Sequence, residues 1–165
     1  MLAAMVVVRP ATVTDGPILG QLGAMLMRVH HEFDGSRFMN PGSDPAAGYG
    51  QFLLEQLNDP DAAVLVAAQN AMVVGYVYVA IEPRSWKELR ERAGFVHDIA
   101  VDQNDRRSGV GMALAEAALL WLRERGISQV VLWTSTANLG AHTLFARLGF
   151  RSTMIEMTRE LDAKT

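Results

Sequence analysis

Between Val101 and Leu114 the chain reads VDQNDRRSGVGMAL. An apolar strand end passes through a short charged loop into a helix, entered by way of Arg106, Arg107, Ser108, Gly109, Val110, Gly111 and Met112. Residues this small let a ligand approach the backbone, and the first N–H groups of a helix have no carbonyl partner within it. With two arginines and the positive end of the helix dipole beside them, those N–H groups suit a phosphate or pyrophosphate. Two common phosphate loops do not fit. A dinucleotide fingerprint needs a third Gly or Ala where this chain has Leu114, and a Walker-type loop needs Gly-Lys-Ser/Thr, which occurs nowhere.

Four residues before Val101 stands His97, followed by Asp98. An imidazole, with an ordinary pKa of about 6.5, can accept a proton from an amine near neutrality. Strict strand alternation would put Phe95, Ile99 and Val101 on the same face as His97, which instead describes a buried histidine satisfied by a backbone carbonyl. A bulge would re-aim the side chain. Asp98 can equally be a catalytic group or a structural anchor. His30 and His31 end the first predicted helix, where a cationic ring suits the dipole without any catalytic role. Glu32, Asp34, Asp44 and Glu82 could attract a cationic amine, although each also suits a solvated loop. No group of His, Asp and Glu has metal-ligand spacing.

The elements that position these residues follow from periodicity. Val6 to Arg9 reads as a strand, and the apolar start MLAAMVVV belongs with it. Leu19, Leu22, Leu26 and Val29 recur at helical spacing behind Asp15 and Pro17. His30 to Gly50 is polar and rich in Gly and Pro, a loop that a short helix from Tyr49 to Leu57 follows. Ala63 to Ala68 and Met72 to Ile81 form a hairpin, and Glu82 to Arg92 is polar and helix-prone. Gly94 to Asp102 is a strand, Val110 to Arg125 a helix stopped by Gly126, Gln129 to Thr134 a strand, Asn138 to Leu148 a helix, and Arg151 to Glu160 a final strand. The order β-α-α-β-β-β-α-β-α-β predicts an α/β domain with a mixed, mostly antiparallel sheet and helices on both faces.

At 165 residues the length suits one domain, residues 1–165. A net charge of −3 argues against a nucleic-acid partner, and zero cysteines exclude disulfides, thiolate metal sites and cysteine nucleophiles. The apolar start is too short to span a bilayer and has no basic flank, so the expectation is a soluble cytoplasmic protein without a membrane partner.

The spacing Arg106, Gly109, Gly111, five residues after Val101, resembles the acyl-CoA pyrophosphate loop of the GNAT superfamily of N-acetyltransferases. The segment NLGAHTLFARLGF, Asn138 to Phe150, is similar to that superfamily's second signature, and the element order is also its order. The resemblance covers nearly the whole chain. It implies acetyl-CoA as co-substrate, no metal, and transfer of the acetyl group to a primary amine by direct attack in a ternary complex. It further implies that the backbone of Ile99, Ala100 and Val101 pairs with the pantetheine arm, with an N–H of Ile99 or Ala100 polarising the thioester. Arg106 to Met112 would hold the pyrophosphate, Arg107 would reach the adenosine phosphates, and Asn138 would open the last helix beside the departing sulfur. His97 falls where several branches carry the base. Many members carry a tyrosine that protonates the thiolate where this chain has Phe145, which has no proton to give. That departure sustains an alternative, a non-catalytic acyl-CoA-binding module. The acceptor would be a small-molecule amine or a protein N-terminus or lysine, met by His30 to Gly50 and the surroundings of Trp86. A homodimer is also compatible with the class.

Overall fold

Two apolar strands and a two-residue turn build the centre of the molecule. Strands β2 (Ala62–Gln69) and β3 (Met72–Glu82) run antiparallel. They are joined by Asn70 and Ala71 at φ 49° and 65°, the left-handed pair that a tight hairpin turn requires. Strand β1 (Val7–Pro10) pairs with β2, and β4 (Ala93–Val101) pairs with β3, both antiparallel; β5 (Val130–Leu132) pairs with β4 in parallel. The sheet order is β1-β2-β3-β4-β5, mixed and mostly antiparallel as the sequence predicts. This computed structural model describes residues 5–161, so the first four residues of the apolar N-terminal run lie outside it.

Helices cover both faces. α1 (Gly16–Phe33) and α2 (Pro45–Gln56) bury Leu19, Leu22 and Leu53 against Val64, Val66 and Tyr76. α3 (Val110–Glu124) buries Val110, Leu114 and Leu122 against Leu65, Val77 and Val79 on the opposite face. The alternation along β2, Val64 and Val66 against Leu65, separates the two cores. α4 (Leu139–Arg147) follows β5. Ahead of α1, Asp15 is buried and accepts from both Arg9 guanidinium nitrogens at 2.8 and 2.9 Å and from the Thr12 N–H at 2.8 Å. These donors, Arg9 above all, hold its carboxyl down at about 2.

Three expectations need correction. α2 begins at Pro45 rather than near Tyr49, because Ala46 and Gly50 approach Gly20 of α1 closely and Tyr49 packs on Gly23. Residues 83–92 form no helix: Ser85 and Arg90 exchange backbone hydrogen bonds at 2.8 and 3.0 Å around turns. The one large apolar residue there, Trp86, is 80% exposed, so no buried stripe supports a helix. Arg151 to Glu160 is exposed and joins no strand among the described residues. A strand exists through its partner's hydrogen bonds, and among the described residues this segment's side chains are tied back by the ion pair of Arg37 with Glu156.

Candidate active site

The register of β4 decides where its polar residues face. Tyr78 stands opposite Asp98 and Val79 opposite Val96, so His97 is the extra residue of a bulge. Beyond it, Ile99 and Val101 pack with the α3-side core while Ala100 packs with the α1 and α2 side. The expectation that His97 shares a face with Ile99 and Val101 is therefore corrected, and so is the buried-histidine reading. The side chain is 31% exposed, and its ring stacks on Tyr78 at 4.8 Å and Phe95 at 4.9 Å. Nε2–H donates to Glu82 Oε1 at 3.0 Å. An ionised carboxylate only accepts, so the neutral ring keeps its lone pair on Nδ1.

Asp98 turns toward α2. Its Oδ2 accepts from the hydroxyls of Tyr49 at 2.5 Å and Tyr76 at 3.2 Å. Burial pushes the carboxyl above its ordinary range, and the two hydroxyls oppose that rise. Burial, reinforced by the Asp98 charge, raises both phenols in turn, which keeps them protonated as donors. Asp98 thus ties α2 to the sheet and also stands in the wall of the cleft described next. Tyr78, for its part, donates to Gln56 Oε1 at 3.1 Å.

β4 and β5 pair only from Gly94↔Val130 to Val96↔Leu132, and beyond that point they diverge. The cleft that opens is lined by His97, Asp98 and Ile99 on one side and Trp133 and Thr134 on the other. α4 contributes Asn138 and the buried Phe145, and α1 contributes His30. Asn138 Oδ1 caps α4 by accepting the Ala141 N–H at 3.1 Å. Ile99, Ala100 and Val101 pair with Val77, Tyr76 and Gly75 of β3. Their other edge has no strand partner and is open to an extended ligand.

Val101 lies five residues beyond Val96, roughly 16 Å or somewhat less at strand rise because of the bulge, and the phosphate-type loop follows it. Gly109 sits at φ 87° as the N-terminal cap of α3, with nothing within 4 Å of a hypothetical Cβ. The backbone conformation, rather than crowding, requires glycine there. A Cβ on Gly111 would meet Leu144 at an ordinary 3.5 Å, so packing leaves its outer side open as well. The N–H groups of Val110, Gly111 and Met112 have no carbonyl a turn back in the helix. Arg106 Nε donates to the Val101 carbonyl at 3.4 Å, Ser108 Oγ donates to the Asp105 carbonyl, and Arg107 is exposed at φ 65°.

Sequence reasoning missed Thr134 and Trp133, and it placed His30 in the acceptor segment without a role of its own. His30 continues the Leu19, Leu22, Leu26 stripe by one more turn, a signal that it faces inward. Its Nδ1–H donates to the Leu26 carbonyl at 2.8 Å, which leaves the Nε2 lone pair free. Among the described residues, no three His, Asp or Glu side chains are placed to hold a metal, and no helix is long and apolar enough to cross a membrane.

The profile of the acetyltransferase (GNAT) family matches residues 26–150. A mycothiol acetyltransferase of Saccharomonospora viridis is 32% identical over 95 residues, 57% of this chain and 31% of that protein. An N-alpha-acetyltransferase of Sulfurisphaera tokodaii is 32% identical over 110 residues, 63% of this chain and 65% of that one. The matched segment thus spans less than two thirds of these relatives. The solved structure of aminoglycoside N-acetyltransferase AAC(6')-Iy in complex with CoA superposes with a TM-score of 0.73 at 18% identity, covering 97% of each chain, a likeness of fold.

Proposed function

The chain belongs to the acetyltransferase (GNAT) family, and on that premise we propose an N-acetyltransferase that moves the acetyl group of acetyl-CoA to a primary amine by direct attack. The bulge carries this reading, because it turns His97 out of the core and into the cleft where β4 and β5 part. The loop Arg106 to Met112 holds the pyrophosphate and the open edge of Ile99 to Val101 holds the pantetheine arm. A β4 backbone N–H, that of Ile99 or Ala100, polarises the thioester carbonyl. The bound co-substrate supplies an activated acetyl group.

His97, oriented by Glu82, takes the ammonium proton on Nδ1, directly or through water. The freed amine nitrogen forms a bond to the acetyl carbon, the carbon–sulfur bond breaks with its electron pair leaving on the sulfur, and the nitrogen sheds its second proton to solvent to give the neutral amide. With zero cysteines, no cysteine acyl-enzyme can intervene. Glu82 and Asp98, beside Tyr78 and Trp133, suit a cationic acceptor with some apolar surface, whether a small amine or the amino group of a peptide.

The test is release of CoA from acetyl-CoA in the presence of polyamines, aminoglycosides, amino acids and short peptides. Amine-dependent release is expected for at least one class. CoA binding without release for any of them would favour the alternative, an acyl-CoA-binding module.

A further inference from the structure

One side-chain atom among the described residues is buried without any hydrogen-bond partner, Oγ1 of Thr134, and Thr134 lines the cleft. An unpartnered buried hydroxyl costs free energy, and such groups call for a specific explanation. Its neighbours are all engaged. The Ser135 carbonyl accepts the Asn138 N–H at 3.0 Å and His142 Nε2–H at 2.9 Å, and Ser135 Oγ accepts the Ala137 N–H at 3.3 Å. Those bonds fix the turn from β5 into α4 and pin Thr134 in the wall. The backbone is therefore held in place, and a turn of the Thr134 side chain about Cα–Cβ would bring its unused donor to the cleft.

Resting on the reading above, we infer that the Thr134 hydroxyl donates a hydrogen bond to the departing sulfur, the service that Phe145 cannot perform. Thr134 belongs to the side of the cleft that carries Phe145 and Asn138, whereas the N–H groups that polarise the carbonyl belong to β4. An alkoxide is a far stronger base than a thiolate. Thr134 therefore keeps its proton. The sulfur leaves with the electron pair of the broken bond, hydrogen-bonded to Oγ1–H, and takes a proton from solvent afterwards.

The experiment compares the wild type with Thr134→Val, which keeps the shape and removes the donor, and Thr134→Ser, which keeps the donor. Calorimetry measures affinity for CoA and for desulfo-CoA, which lacks the sulfur, at a pH above the pKa of the CoA thiol itself. Desulfo-CoA at the same pH subtracts the titration of His30, His97 and Asp98, which share the cleft. The wild type and Thr134→Ser are expected to prefer CoA by about tenfold, the scale of a hydrogen bond to a charged group, and Thr134→Val to lose that preference. In turnover, kcat of Thr134→Val should fall about tenfold with little change in the KM for acetyl-CoA, and adding Phe145→Tyr should restore it. Thr134→Val should melt no lower than the wild type, since no native hydrogen bond is lost. An unchanged CoA preference in Thr134→Val, or a melting temperature several degrees lower, overturns the inference. Absence of wild-type turnover with every amine would sink the acetyltransferase reading instead, and the CoA preference would still report on Thr134.

Discussion

His97 and Glu82 form a pair in which the carboxylate fixes the ring so that one nitrogen is left as a base. His97→Ala should lower kcat by roughly 10²- to 10⁴-fold, the usual worth of a general base, with little effect on the KM for acetyl-CoA. Because the ring lies near the surface, the variant should melt within a few degrees of the wild type. Steady-state kinetics beside a thermal melt checks both, and a variant that merely melts early while keeping its activity per folded molecule would assign His97 to structure. Phe145→Tyr in the otherwise natural chain should be nearly neutral, because the sulfur already has a donor in Thr134. A tenfold gain in kcat, about 1.4 kcal/mol of barrier, would show that no such donor operates.

At the scale of elements, α3 and β4 work as one unit. Gly109→Asp should weaken CoA binding by at least an order of magnitude, by straining a left-handed position and placing a like charge against the phosphates. Gly109→Ala keeps the strain without the charge, so calorimetry on both variants separates the two causes. β4 sits where it does partly because β3 approaches it without a side chain at Gly75. A Cβ there would lie 2.7 Å from the Ala100 carbonyl oxygen and 3.1 Å from Leu114. Gly75→Ala should cost about 1–3 kcal/mol of stability and lower the melting temperature. It should also raise the KM for acetyl-CoA if, as proposed above, the edge that includes Ala100 receives the pantetheine arm.

Over the whole molecule, the Arg9–Asp15 ion pair contributes to the response to acid. The Asp15 carboxyl titrates at about 2 in the folded protein, against 3.8 when free. A lowered folded value means that the stabilisation is complete above the free value and disappears as pH falls from near 4 toward 2. Asp15→Asn should cost roughly 1–2 kcal/mol at neutral pH, with the partial exposure of Arg9 holding the figure down. The gap to the wild type should close in melts taken below about pH 2. A constant gap across that range would place the effect in the Thr12 hydrogen bonds alone.

The sequence by itself determined what depends on local spacing. The β-rich runs Ala63 to Ala68, Met72 to Ile81 and Gly94 to Asp102 gave the strands, the 3.6-residue stripe gave α1, and the glycines at Gly109 and Gly111 gave the entry of α3. These readings needed only a residue and its near neighbours. What depends on pairing register did not follow. Alternation carried straight through His97 puts it on one face with Ile99 and Val101, and only the ladder with β3 shows the extra residue that parts it from them. Asp98 meets Tyr49 across 49 positions of sequence and Tyr76 across 22, contacts that no periodicity reports. Thr134 is an ordinary strand residue until β4 and β5 diverge and leave its hydroxyl without a partner. Arg151 to Glu160 shows the converse, a strand-like sequence that stays unpaired because strand formation requires a neighbour as well as a pattern.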